Sequence, residues 1–115
     1  MEEKIYEQVA LIGAGVIGSG WATRCLAKGL SVVLTDPSPD ARSQVKKTIE
    51  GAWPVLEDSG LVSQGDSTNF RFVETIQEAV EGADFIQENV PEREDLKIEV
   101  HKTIDRYAAE DVVIA

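Results

Sequence analysis

Val9-Ala-Leu-Ile-Gly-Ala-Gly-Val-Ile-Gly-Ser-Gly20 decides the fold of this 115-residue chain. The apolar run Val9 to Ile12 reads as a buried strand, and it runs into Gly13, Gly15 and Gly18 at the spacing G-x-G-x-x-G. Gly13 permits the tight turn out of the strand. Gly15 lets a pyrophosphate come close to the backbone, and Gly18 lets the next helix lie against the sheet. That helix turns its unpaired N–H groups and the positive end of its dipole toward the phosphates, so no Lys or Arg is needed there.

The glycine pattern alone is weak, and its surroundings give it weight. Ile17, Trp21, Ala22, Cys25 and Leu26 keep an apolar stripe at helical spacing, and Lys28-Gly29 supplies a cationic last turn with a C-cap glycine. Leu30 to Thr35 then reads as a second strand. It delivers Asp36 eighteen residues after Gly18, near where the ribose-binding acid of a dinucleotide fold is expected. An ordinary βαβ unit with a glycine-rich turn would leave this agreement of strand, turn, helix, strand and acid unexplained.

Outward from this unit, strand one extends over Lys4 to Ile12 and the glycine helix over Val16 to Lys28. Ser38 is a candidate N-cap with Pro39 at the first helical position. A long helix follows, with Ala41, Val45, Ile49, Ala52 and Trp53 inward and Arg42, Lys46, Lys47 and Glu50 in water, until Pro54 ends or kinks it. Val55 to Leu61 could start a further helical turn from that proline, and Gly60 and Gly65 favour a loop beyond it. Phe70 to Val73 is a third strand. Thr75 opens a short helix, Ile76 to Glu81, with Glu78 completing a capping box and Gly82 closing it. Ala83 to Val90 is the fourth strand, with Glu88, Asn89 and Glu92 at or beyond its carboxyl end, the ligand side of an open parallel sheet. A last helix, Glu94 to Ala109, puts Leu96, Val100, Ile104 and Tyr107 inward, and Val112 to Ile114 forms a fifth strand. Repeated βα units with right-handed crossovers predict a parallel sheet in the order 3-2-1-4-5. The fold class is therefore α/β, a Rossmann-type doubly wound sheet in one domain spanning residues 1–115. Its ligand crevice lies between strands one and four.

Composition narrows the function. Eleven basic against twenty-one acidic residues give a net charge of −10, which disfavours nucleic acid as a partner. Apolar stretches are strand-sized, and Glu2 and Glu3 make the amino terminus unlike a targeting peptide, so no membrane partner and a cytoplasmic location are expected. The single cysteine, Cys25, reads as a small core hydrophobe. With one histidine and one cysteine, no metal cluster is expected.

Asp36 is the candidate for adenosine recognition. Its carboxylate can accept from both ribose hydroxyls and repels a 2′-phosphate, which favours NAD over NADP. Arg42 reads as part of the solvated helix face. A helix-capping role is the plainer alternative for Asp36. Glu92 and Lys97 could reach the crevice mouth, although Pro91-Glu92-Arg93-Glu94-Asp95 is also what a charged helix start looks like.

Val-Ala-Leu-Ile-Gly-Ala-Gly-Val-Ile-Gly, Thr-Asp-Pro, and Gly82-Ala-Asp-Phe-Ile-Gln-Glu-Asn-Val-Pro-Glu-Arg-Glu-Asp-Leu-Lys97 resemble the NAD-binding domain of the 3-hydroxyacyl-CoA dehydrogenase family over nearly the whole chain. The resemblance implies that the cofactor is NAD, held by Gly13, Ala14, Gly15, Val16, Ile17, Gly18 and Asp36. It also implies contacts from Glu92 and Lys97, which reverses the plain reading of those two. It further implies a small-molecule substrate bearing a secondary 3-hydroxyl, a hydroxy acid or hydroxyacyl-CoA, oxidised to a 3-oxo group, and a homodimer. No catalytic residue falls within these 115 residues. A Ser or Asn, a His paired with a Glu, and a helical substrate and dimerisation domain are expected beyond Ala115. His101 reads as a surface residue and no substitute. A reading of another class is a non-catalytic dinucleotide-binding module.

Overall fold

The computed structural model describes residues 7–62, 65–89, 94–109 and 112–114. Five strands, β1 (Gln8–Ile12), β2 (Ser31–Thr35), β3 (Phe70–Phe72), β4 (Phe85–Glu88) and β5 (Val113–Ile114), form one sheet in the order β3-β2-β1-β4-β5. Every pairing is parallel. The predicted order is the observed one, with strands shorter than the sequence reading by one to a few residues. Residues 4–6 and Val90, read as strand, lie outside the described residues.

Parallel strands buried on both faces need apolar side chains at every position, which is why the strand runs are continuous. Val9 and Leu11 of β1 and Val32 and Leu34 of β2 face one core, with Leu26, Val45 and Ile49. Ala10, Ile12, Val33 and Ile86 face the other, with Val80, Val100 and Ile104. The first core lies under α1 (Val16–Ala27) and α2 (Ala41–Asp58), and the second under α3 (Ile76–Val80) and α4 (Glu94–Tyr107). Asp84 sets the register at the amino-terminal end. Its Oδ2 accepts the N–H groups of Glu7 at 2.9 Å and Gln8 at 3.0 Å, and its own N–H donates to the Gln8 carbonyl at 2.8 Å.

The predicted stripe on α1 is rotated. Ile17 is 69% exposed and Trp21 39%, while Ser19, Ala22, Thr23, Leu26 and Ala27 form the buried face. A helix following a glycine turn lies too close to the sheet for large side chains, so small residues make the contact. The two buried hydroxyls are satisfied locally: Ser19 Oγ donates to the Ala14 carbonyl at 3.2 Å, and Thr23 Oγ1 to the Ser19 carbonyl at 2.9 Å. Cys25 is half-buried against the first core, and that burial pushes its thiol pKa up.

The start of α2 also differs. Ser38 does not cap it; the helix begins at Ala41 after Asp40, with no side-chain cap. The reason lies one turn back, where the Ser38 N–H is held by Asp36 and the Ser38 carbonyl accepts from Ala41 at 3.3 Å. Pro54 lies inside α2 and does not end it. The missing proline N–H removes one bond, to the carbonyl of exposed Glu50, and the helix continues to Asp58. The real stop is Gly60, at φ +72°. Its N–H donates to Glu57 at 3.0 Å and the N–H of Leu61 to Leu56 at 3.0 Å, the paired bonds of a Schellman ending. Gly29 and Leu30 close α1 with the same pair of bonds, as the Lys28-Gly29 reading predicts.

Beyond α2, Asp66 Oδ1 accepts from the Thr68 hydroxyl and N–H, which holds its carboxyl below the usual range. At α3, Thr75 Oγ1 accepts the Glu78 N–H at 3.1 Å as predicted. The return bond of the box is different: Thr75 Oγ1 itself donates to Glu78 Oε1 at 3.0 Å. In α4, Val100 and Ile104 are buried and Tyr107 half-buried, while the side chain of Leu96 lies outside the described residues.

Candidate functional site

The site is built where β1 ends. Gly13 takes φ +98°, open to glycine at little cost, and its N–H donates across to the Thr35 carbonyl at 2.9 Å. The chain then enters α1, whose first described bond runs from the Ser19 N–H to the Gly15 carbonyl at 2.9 Å. A helix leaves the N–H groups of its first turn without intrahelical partners, and here they belong to Val16, Ile17 and Gly18.

The three glycines are used differently. A Cβ on Gly15 would meet nothing within 4 Å, so this side of the turn is open to a ligand. A Cβ on Gly18 would run into the Gly13 carbonyl, with its carbon at 3.2 Å and Asn89 Nδ2 at 3.6 Å. Gly18 is thus the residue that lets helix and turn pack together, and Gly15 the one that leaves room. The close packing at Gly18 agrees with the sequence reading.

Two side chains brace the turn. Asp36, just past β2, accepts the Ala14 N–H on Oδ2 at 2.7 Å and the Ser38 N–H on Oδ1 at 2.8 Å. From the other side Asn89, just past β4, donates from Nδ2 to the Gly13 carbonyl at 3.3 Å, and its own N–H extends the β1–β4 pairing to Ile12 at 2.8 Å. The Ala14 N–H is therefore committed to Asp36, and Ala14 enters the site as fully buried turn backbone. Each Asp36 oxygen retains a lone pair for a ribose hydroxyl.

Around the turn opens a cleft of about 500 Å³ lined by Gly13, Ala14, Gly15, Asp36, Glu74 and Asn89, with Ile12, Ile76 and Val100 as apolar wall. It lies at the carboxyl ends of the strands, where the sheet order reverses between β1 and β4. Asn89 and Glu74 are the members that sequence reasoning did not assign to cofactor contact. The parallel register Leu34↔Phe72 could have found Glu74, because it carries Asp36 and Glu74 to adjacent strand ends. Glu92 and the side chains of Val16 and Lys97 lie outside the described residues. Arg42 is not simply solvated. Its Cζ lies 5.7 Å from the centroid of the Phe72 ring, in a separate hollow between α2 and β3. His101 is half exposed, as read, but it is not a lone surface residue. Its Nε2 lies 3.7 Å from Oε2 of Glu88, whose side chain is 7% exposed at the end of β4.

A glycine turn with an open face, an aspartate at the end of β2, and a cleft at the switch point define a dinucleotide-binding α/β domain. The chain belongs to the family of the 3-hydroxyacyl-CoA dehydrogenase NAD binding domain, whose model matches residues 8–115. Among its relatives are the L-carnitine dehydrogenases of Burkholderia mallei, 51% identical over 106 residues, and of Pseudomonas putida, 49% identical over 105. These alignments cover 92% and 91% of this chain and 33% of each relative, so the chain spans about a third of their length. Among solved structures it is similar to 5-formyl-3-hydroxy-2-methylpyridine 4-carboxylic acid 5-dehydrogenase, an NAD+-dependent dismutase. There the TM-score is 0.82 and the identity 38%, over 96% of this chain and 36% of that one. It is also similar to (S)-3-hydroxybutyryl-CoA dehydrogenase from Ralstonia eutropha, with TM-score 0.80 and 26% identity over 96% and 40% of the two chains.

The residues present fit NAD. The open side of Gly15 accommodates a pyrophosphate against the first turn of α1, and Asp36 stands at the strand end where a ribose would lie.

Proposed function

We propose that this chain is the cofactor-binding domain of an NAD-dependent dehydrogenase that oxidises a secondary 3-hydroxyl to a 3-oxo group, with L-carnitine as substrate and 3-dehydrocarnitine as product. The observation that carries the reading is the Asp36 carboxylate, held against the glycine turn by the Ala14 N–H while it faces the cleft. The choice of L-carnitine rests on the names of the relatives. The Gly-Ser-Gly-Trp-Ala, Phe-Arg-Phe-Val-Glu-Thr and Pro-Glu-Arg-Glu-Asp-Leu-Lys segments also resemble L-carnitine dehydrogenase. A 3-hydroxyacyl-CoA is the second reading, favoured by the family description.

When bound, NAD supplies the hydride acceptor. The residues of this chain bind and orient it. The first-turn N–H groups at Val16, Ile17 and Gly18 face the pyrophosphate, reinforced by the helix dipole. Asp36 accepts from the adenosine ribose, and Asn89 fixes the Gly13 carbonyl so that the turn keeps its shape. By the family resemblance, Glu92 and Lys97 meet the nicotinamide side. We assign proton abstraction, by a His paired with a Glu, and substrate recognition to the part of the protein outside the matched third. A homodimer and a cytoplasmic location complete the proposal. Among the described residues, no helix is long and apolar enough to cross a membrane.

The test is NADH formation by the whole protein with L-carnitine, 3-hydroxybutyryl-CoA and gulonate, alongside calorimetric titration with NAD and NADP. Turnover of L-carnitine in preference to the other two, with NAD bound more tightly than NADP, is the expected result. Turnover of the acyl-CoA alone would replace the substrate, and binding of neither nucleotide would remove the reading.

A further inference from the structure

We infer that Glu74 is a second specificity-determining carboxylate for the cofactor, acting beside Asp36 to exclude a 2′-phosphorylated dinucleotide. The inference deepens the proposed function and rests on the reading of the cleft as the NAD site.

It starts from register. β2 and β3 are parallel with Leu34 opposite Phe72, and the pairing continues one residue further through the Val73 N–H to the Leu34 carbonyl at 2.9 Å. Two residues past Leu34 and Phe72 come Asp36 and Glu74, at the carboxyl ends of neighbouring strands, where strand spacing is about 4.8 Å. Both line the same cleft. Glu74 is exposed.

Among the described residues that line the cleft there is no Lys or Arg. The cation nearest to Asp36 in sequence, Arg42, is turned over the Phe72 ring in the hollow on the other side of β3. Enzymes that take a 2′-phosphate place an arginine near the ribose acid. Here that place offers two carboxylates, and a phosphate of charge near −2 would meet both.

The sizes separate the two roles. Asp36 hydrogen-bonds within the turn and faces the ribose, so its loss weakens NAD binding as well as relieving the repulsion of a 2′-phosphate. Among the described residues Glu74 makes no hydrogen bond to the turn, and it acts through space on charge. Removing one charge several ångströms from a phosphate in water changes affinity by about three- to tenfold, and salt screens the change.

The experiment titrates the full chain with NAD and NADP by calorimetry at low and high ionic strength, for the natural protein, Glu74→Gln, Glu74→Lys and Asp36→Asn. Glu74→Gln is expected to move the NAD-to-NADP affinity ratio about three- to tenfold toward NADP, and Glu74→Lys further, with both gains shrinking in high salt. A ratio within twofold of the natural protein in both Glu74 variants overturns the role of Glu74. Failure of the natural chain to bind NAD, or unchanged binding of both nucleotides in Asp36→Asn, overturns instead the reading of the cleft beneath it.

Discussion

Replacing Gly15 and Gly18 separately by alanine should split the cost of the turn into a folding part and a binding part. A methyl on Gly18 meets the Gly13 carbonyl, whose carbon lies 3.2 Å away, and that carbonyl is fixed by Asn89 and by the β1 backbone. Overpacking of this kind costs about 1–3 kcal/mol, and the better helix propensity of alanine returns at most about 1 kcal/mol. The net loss of about 1–2 kcal/mol lowers Tm by about 4–8 °C in a domain of this size. A methyl on Gly15 meets nothing within 4 Å. Through the poorer N-cap it adds a folding cost of about 0.5 kcal/mol, or about 2 °C. It does, however, stand where the pyrophosphate must lie, and a clash of about 1.4–2.8 kcal/mol weakens NAD about ten- to a hundredfold. Differential scanning calorimetry and NAD titration on both variants decide it. A Gly15→Ala protein that binds NAD within twofold of the natural one would refute the assignment of the open face. A Gly18→Ala protein as stable as the natural one would refute the packing argument.

Two further outcomes follow from the fold. Pro54→Ala restores the N–H to the Glu50 carbonyl inside α2 and should stabilise the chain by about 1–3 kcal/mol, seen as a higher urea midpoint at constant slope; a lower midpoint would contradict a helix continuous to Asp58. Cys25 should react with iodoacetamide at pH 8 at least about tenfold more slowly than a cysteine peptide, because burial raises its pKa and keeps it a thiol. The sign for stability follows: a folded pKa above the unfolded one favours folding in full below the ordinary thiol range, and the advantage is lost as pH rises through that range toward the folded value. A thiol alkylated as fast as the peptide would place Cys25 in water.

The order of the sheet and the position of the turn were legible because each strand is a short apolar run punctuated by glycine, a pattern set by burial on both faces. On α1 the inward stripe was legible at Ala22, Cys25 and Leu26 but not at Ile17 and Trp21, which are exposed while the small residues Ser19 and Thr23 are buried. Pro54, read as ending or kinking the helix, lies within it, and α2 runs on to Asp58. Asp36 was legible from spacing, but its bond to Ala14 was not, nor was the support from Asn89, because neither follows from distance along the chain. The pairing of His101 with Glu88 likewise needs the strand end and the helix side by side.

The bracing of the glycine turn also makes ligand and fold report on each other. Asp36 reaches Ala14 across 22 residues and Asn89 reaches Gly13 across 76. The braced shape of the glycine turn therefore depends on β2 and β4 both being docked on β1. Binding is then linked to the central three strands together. NAD at a hundred times its dissociation constant should raise unfolding free energy by about 2.7 kcal/mol. Amide exchange should slow as one block across β1, β2 and β4, rather than at the turn alone.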